Sequence, residues 1–334
     1  MHSLLSKDES FAIKGFLILL IVLGHNSFVC FTWKNYEVIS PRFLWQFLYT
    51  FHVYCFLILP FFYNEKTYKK GNILKYSKRL LFPYLWVCAI CFFISVVLLH
   101  YPFYGWKSLL KALVYGCERL LDENLHFSFP WFLPAMFTLM LLKDLFYSAN
   151  NIIRIALIVL GIGLWLFVLI SGIKFSSIGC RIPMAAVTAF RMLPICLLSK
   201  KIANHITDNT TYRLVFGGVF VFSLILFLLC KYNNVKVNLL FYFFMPVCSI
   251  ILLFLLKTYL IRCKGLIYLG KLSFQVYLYH VFIYNLIIFV TRKFSIDPTI
   301  LNGVIIYIIT LLVSVILARL TTQIPMIKKI LFLS

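Results

Sequence analysis

The sequence predicts an all-α, polytopic integral membrane protein of about ten transmembrane helices with both termini cytoplasmic. Three observations carry that prediction. The 334 residues are 63% apolar and only 13% charged, against roughly 45–50% and about 25% in soluble domains. The mean hydropathy is +0.96. Apolar runs of spanning length recur along nearly the whole chain, separated by short polar breaks. Soluble, disordered and disulfide-stapled classes are thereby excluded. The 32 Lys+Arg against 10 Asp+Glu leave a formal charge of +22, which would ordinarily suggest nucleic acid. A chain with 35 Phe and 20 Tyr has no polar, groove-reading domain, so no nucleic-acid partner is expected. Its cations belong to loops at an anionic lipid surface.

About 20 apolar residues cross ~30 Å of hydrocarbon as a helix, and ten such runs can be read in order: 15–33, 43–63, 80–100, 129–146, 155–173, 182–198, 214–230, 237–256, 272–291 and 302–319. The first is expected to be retained, because Asp8 and Glu9 precede it and no small-x-small cleavage site follows it. Pro130 and Pro134 interrupt the fourth span, and Arg191 and Pro194 the sixth. Such breaks are tolerated where protein or a water-filled cavity satisfies the freed backbone groups. With the N-terminus inside, the cytoplasmic segments hold twenty basic residues and the outer segments eleven, the asymmetry that sets topology. The longest outer stretch, 101–128, contains helical apolar spacing over 107–121, which suits either an interfacial helix or a partly ordered loop. Outer residues also include Lys174 and Arg181. No linker separates domains, so residues 1–334 are expected to form one membrane-embedded domain without an appended soluble one.

Seven of the ten cysteines, Cys30, Cys55, Cys88, Cys91, Cys196, Cys230 and Cys248, sit inside apolar runs and act there as small hydrophobes. Cys88 and Cys91 spell C-x-x-C, but neither a second pair nor a nearby His completes a zinc set. No metal is expected.

Ionisable residues inside a bilayer are costly and mark functional sites. Here they are Lys14, His25, His52, Arg191 and His280, with no Asp or Glu in the middle of any span. Lys14 and His25 lie eleven residues apart, nearly three full helical turns, so both project from one face about 16 Å apart. Lys14 also suits a snorkelling helix end, and His25, followed by Asn26, a structural hydrogen bond. His52 and His280 could line the same cavity or bond a neighbouring helix. Arg191 cannot shed its charge in practice and needs an anion, a carbonyl set or water. Lys75, Lys78 and Arg79 stand where the third span leaves the cytoplasm. There they serve as topology and lipid-binding signals or as receptors for the phosphates of a donor.

At these residues the chain resembles the membrane-bound acyltransferase-3 family, which transfers acyl groups, usually acetyl, onto sugars of bacterial surface polysaccharides. The similar segments are Lys14-Gly15 through Gly24-His25-Asn26, Phe51-His52-Val53 through Pro60-Phe61-Phe62, Lys78-Arg79-Leu80-Leu81-Phe82-Pro83-Tyr84, Trp131-Phe132-Leu133, and Ser273 through Tyr279-His280. Lys14 stands where the family has Arg, which keeps the charge but loses the planar fork. The resemblance implies a multi-pass O-acetyltransferase of the bacterial cytoplasmic membrane, using acetyl-coenzyme A as donor and a glycan or lipid-linked sugar as acceptor. His25 would then take the acceptor's proton or hold the acyl group. Lys14, Asn26, Lys78, Arg79, Arg191 and His280 would bind donor or substrate. A glycan or lipid-linked-sugar transporter is the alternative; it explains the spans and broken helices without chemistry.

Overall fold

The computed structural model describes residues 4–26, 47–62, 72–173, 175–206, 210–229, 235–296 and 300–324. Among the described residues the structure is 86% helical and has no strand. In chain order the helices are α1 (Lys7–Gly24), α2 (Phe47–Phe62), α3 (Asn72–Leu98), α4 (Trp106–Tyr115), α5 (Glu118–Leu125), α6 (Phe129–Ser148), α7 (Asn151–Ser171), α8 (Phe175–Gly179), α9 (Ala186–His205) and α10 (Thr210–Leu229). There follow α11 (Val235–Leu255), α12 (Lys257–Leu260), α13 (Lys264–Lys271), α14 (Ser273–Lys293) and α15 (Ile300–Gln323).

Six helices among the described residues, α3, α6, α7, α10, α14 and α15, contain segments long and apolar enough to cross a membrane. They coincide with six of the predicted spans. The other four spans fall on α1 and α9, which carry several charges, and on α2 and α11, whose apolar stretches are shorter. The outer half of the first predicted span, the start of the second, and Lys34, Arg42, Lys66, Lys69 and Lys70 lie outside the described residues. Outward-facing Leu214, Val221 and Phe222 on α10 remain exposed. Lipid is as apolar as these side chains, so they need no protein cover.

Chain contacts divide the structure into two units, one within Met1–Tyr63 and Leu198–Gln323, the other within Asn64–Leu197 and Ile324–Ser334. In the first, α1 begins at a capping box. Ser6 Oγ accepts from the Glu9 amide at 3.2 Å while Glu9 Oε2 accepts from the Ser6 amide at 2.7 Å, satisfying two donors at the helix start. Lys257 Nζ lies 3.4 Å from Glu9 Oε1 and donates to the Leu4 carbonyl at 3.2 Å. Further along, α1 packs on α13 through two glycines. A Cβ at Gly15 would run into the Leu266 carbonyl, and one at Gly270 into the Phe11 carbonyl. Only glycine permits that mutual approach of backbones. At the other end of α1, Asn26 Nδ2 donates to the Gly303 carbonyl of α15 at 2.7 Å.

In the second unit, α3 is wound as π-helix over Ser77–Leu81, where the Phe82 amide bonds the Ser77 carbonyl. Pro83 has no N–H for the Arg79 carbonyl four residues back and crowds it, which accounts for the wider winding. The helical pattern read over 107–121 is divided. Gly116, at φ 58°, ends α4, and α5 starts at Glu118. The amphipathic spacing continues across the break, so periodicity alone cannot detect it.

Candidate active site

The polar residues of the first unit gather where α1 ends. His25 still has helical backbone angles, and its amide bonds the Ile21 carbonyl, so the eleven residues from Lys14 run along one continuous helix. Its Nε2 is 3.3 Å from the Tyr49 hydroxyl of α2. The ring of His280, on α14, lies 5.0 Å from that of His25, centroid to centroid. Tyr49 also stacks edge-on against His52 at 4.8 Å. Gly24 makes room for this group: a Cβ there would stand 3.3 Å from both His52 Nε2 and Tyr49 Cε2.

His52 and His280 are fully buried, and each directs Nδ1 at the carbonyl four residues earlier, Leu48 and Val276. A carbonyl can only accept, so Nδ1 carries the proton in both rings and Nε2 is left with its lone pair. Neither Nε2 has a hydrogen-bond partner among the described residues. The backbone thus fixes both tautomers, a role often filled by a carboxylate. Three imidazoles and a phenol make a centre with the donor and acceptor groups to accept and pass protons. Among the described residues, no group of His, Cys, Asp or Glu is arranged to hold a metal.

Lys14 lies further back on α1, with Nζ 5.6 Å from the Phe11 ring centroid. Lys271 stands at the same ring, 5.8 Å away. Two ammonium groups therefore flank one aromatic side chain where α1 and α13 are in glycine contact. In the sequence Lys271 is one of the twenty basic residues of the predicted cytoplasmic segments, with nothing local to single it out.

Lys78, Arg79 and Arg191 belong to the second unit. Lys75, Lys78 and Arg79 are exposed. Their helix is anchored by Asp144 of α6, a buried carboxylate whose Oδ2 accepts from Asn72 Nδ2 at 2.8 Å and from the Tyr76 hydroxyl at 2.9 Å. Arg191 has its guanidinium carbon 4.5 Å from the Phe175 ring centroid and 5.8 Å from that of Trp165. The Trp165 indole N–H donates to the Arg191 carbonyl at 2.9 Å, and Glu118 interacts with Arg191 electrostatically. Aromatic faces and a carboxylate at the start of α5 thus meet the charge. Glu118 lies outside the predicted spans, so the scarcity of intramembrane carboxylates does not reveal it. Asn26, expected at the substrate, is committed at least in part to the Gly303 carbonyl.

Fold and site together define a multi-pass, all-helical membrane protein with a histidine–tyrosine cluster at one end of its first helix. The chain belongs to the acyltransferase-3 family: the family model described as an acyltransferase domain matches residues 12–319. No curated protein and no solved structure matches it. The protein is a membrane acyltransferase, which decides between the two readings of the sequence in favour of chemistry over transport.

Proposed function

We propose that this acyltransferase moves an acetyl group from acetyl-coenzyme A to a hydroxyl of an envelope sugar, polysaccharide or lipid-linked glycan. We place it in the bacterial cytoplasmic membrane. The observation that carries the reading is the contact of His25 with Tyr49 and His280 in a chain of this family. His25 takes the proton of the acceptor hydroxyl as that oxygen attacks the thioester carbonyl. The carbon–sulfur bond breaks, and the leaving coenzyme thiolate takes that proton from His25, which returns the imidazole to its neutral state. Tyr49 shares a proton with His25 Nε2 and can steady the imidazolium or relay its charge. The neighbouring His280 Nε2 is a second basic nitrogen that keeps the centre from being stranded when His25 is protonated. Lys14 and Lys271 attract the donor's phosphates on the cytoplasmic side, with Lys78 and Arg79 as a further basic patch. No metal takes part in this scheme.

Mass spectrometry of surface glycans from cells with and without the protein tests the substrate class. Loss of an increment of about 42 Da, the mass of an acetyl group transferred by acyl chemistry, is the expected outcome. Glycans identical in both cells would refute the assignment.

A further inference from the structure

Three cysteines lie outside the apolar runs, and two of them meet. Cys117 follows α4 and Cys180 follows α8, 63 positions apart in sequence, yet their Sγ atoms stand 3.1 Å from one another as separate thiols. The approach is built by the backbone on either side. The Met184 amide donates to the Val114 carbonyl at 2.9 Å and the Ala185 amide to the Tyr115 carbonyl at 2.8 Å. Thr138 Oγ1 fixes the Met184 carbonyl at 2.7 Å. A Cβ at Gly179 would lie 3.7 Å from Cys117 Cβ, so the two chain segments run side by side at this point. Both cysteines fall in segments that the charge asymmetry assigns to the outer side of the membrane, where disulfides form and persist.

We propose that Cys117 and Cys180 are joined by a disulfide that clamps the α4–α5 turn to the segment leading into α9. Cys180 is the more accessible of the two. Burial pushes the Cys117 thiol up, and the more open Cys180 meets the oxidant first. It attacks one sulfur of a disulfide oxidant, a protein dithiol–disulfide carrier or oxidised glutathione, giving a mixed disulfide and one released thiol. Cys117 then attacks Cys180 Sγ, the new S–S bond forms, and the second oxidant thiol leaves. The two cysteines lose two electrons and two protons, and the oxidant's disulfide becomes two thiols.

The clamp has a position relevant to the second unit. The segment it holds leads directly into the helix that carries Arg191, and α5 begins at Glu118, the carboxylate that acts on it. A covalent tie here would keep those two charges in register. It is independent of the acyl-transfer reading, since its detection needs neither donor nor acceptor.

The test uses the full-length protein in native membranes, treated with N-ethylmaleimide before lysis and analysed by peptide mass spectrometry without reductant. The expected result is a cross-linked pair of peptides containing Cys117 and Cys180, about 2 Da lighter than their sum and separated by dithiothreitol. Cys117→Ser and Cys180→Ser should each abolish the pair and leave the remaining cysteine alkylated. The proposal is overturned if wild-type protein shows both cysteines alkylated as free thiols. It is equally overturned if either is found bonded to a different cysteine.

Discussion

The histidine end of α1 and the basic approach to α3 hold polar groups in opposite ways. At the first, the imidazoles of His52 and His280 are buried and backbone carbonyls fix their tautomers. At the second, Lys78 and Arg79 are exposed on a π-wound stretch and Lys75 on the turn before it, and a buried carboxylate, Asp144, anchors the helix beneath them. Buried, oriented nitrogens suit a step in which a proton must arrive at a defined place. Exposed cations suit attraction of an anion whose final position is set elsewhere, and salt weakens them. The proposed function accordingly gives chemistry to the first region and recruitment to the second.

Substitutions sharpen that contrast, beginning with those expected to matter most. Gly15→Ala drives a methyl into the Leu266 carbonyl and should cost about 1–3 kcal/mol by overpacking. A lowered thermal midpoint in detergent, with activity lost in parallel, is the expected sign that the α1–α13 contact sustains the histidine end. Asp144→Ala leaves two donors without their acceptor, at about 1–3 kcal/mol. It should lower the same midpoint while leaving kcat intact at permissive temperature; a fall in kcat equal to that of a histidine variant would erase the distinction between the regions. Tyr49→Phe removes one hydrogen bond from His25, and about tenfold in kcat is expected from a loss near 1.4 kcal/mol. The double change Lys78→Ala and Arg79→Ala should raise the donor KM by about two- to fivefold, with the difference vanishing at ~1 M salt. An effect on kcat that persists in salt would place those residues in the chemistry instead.

The all-helical membrane class was legible because apolar runs report directly on the lipid solvent. Lys14, His25 and His280 stood out because ionisable groups inside spans are rare. Tyr49 did not, since a tyrosine among apolar residues has no such rarity, although Tyr49 and His52 at i, i+3 share a helix face. Lys271 and Asp144 were hidden for another reason. Their partners, Phe11 and the pair Asn72 and Tyr76, are far away in sequence, and nothing local announces a tertiary contact. The break at Gly116 escaped because a glycine within an amphipathic pattern reads equally as a tolerated helix residue or a stop.

Under the proposed function His25, and not the basic patch of α3, carries the transfer step. Purified wild type and His25→Ala, matched for thermal midpoint in proteoliposomes, should be compared for movement of radiolabel from acetyl-coenzyme A to an acceptor glycan at saturating donor. A fall in kcat of at least about 100-fold, with donor KM little changed, is the expected result. Wild-type kcat in the His25→Ala protein would contradict it.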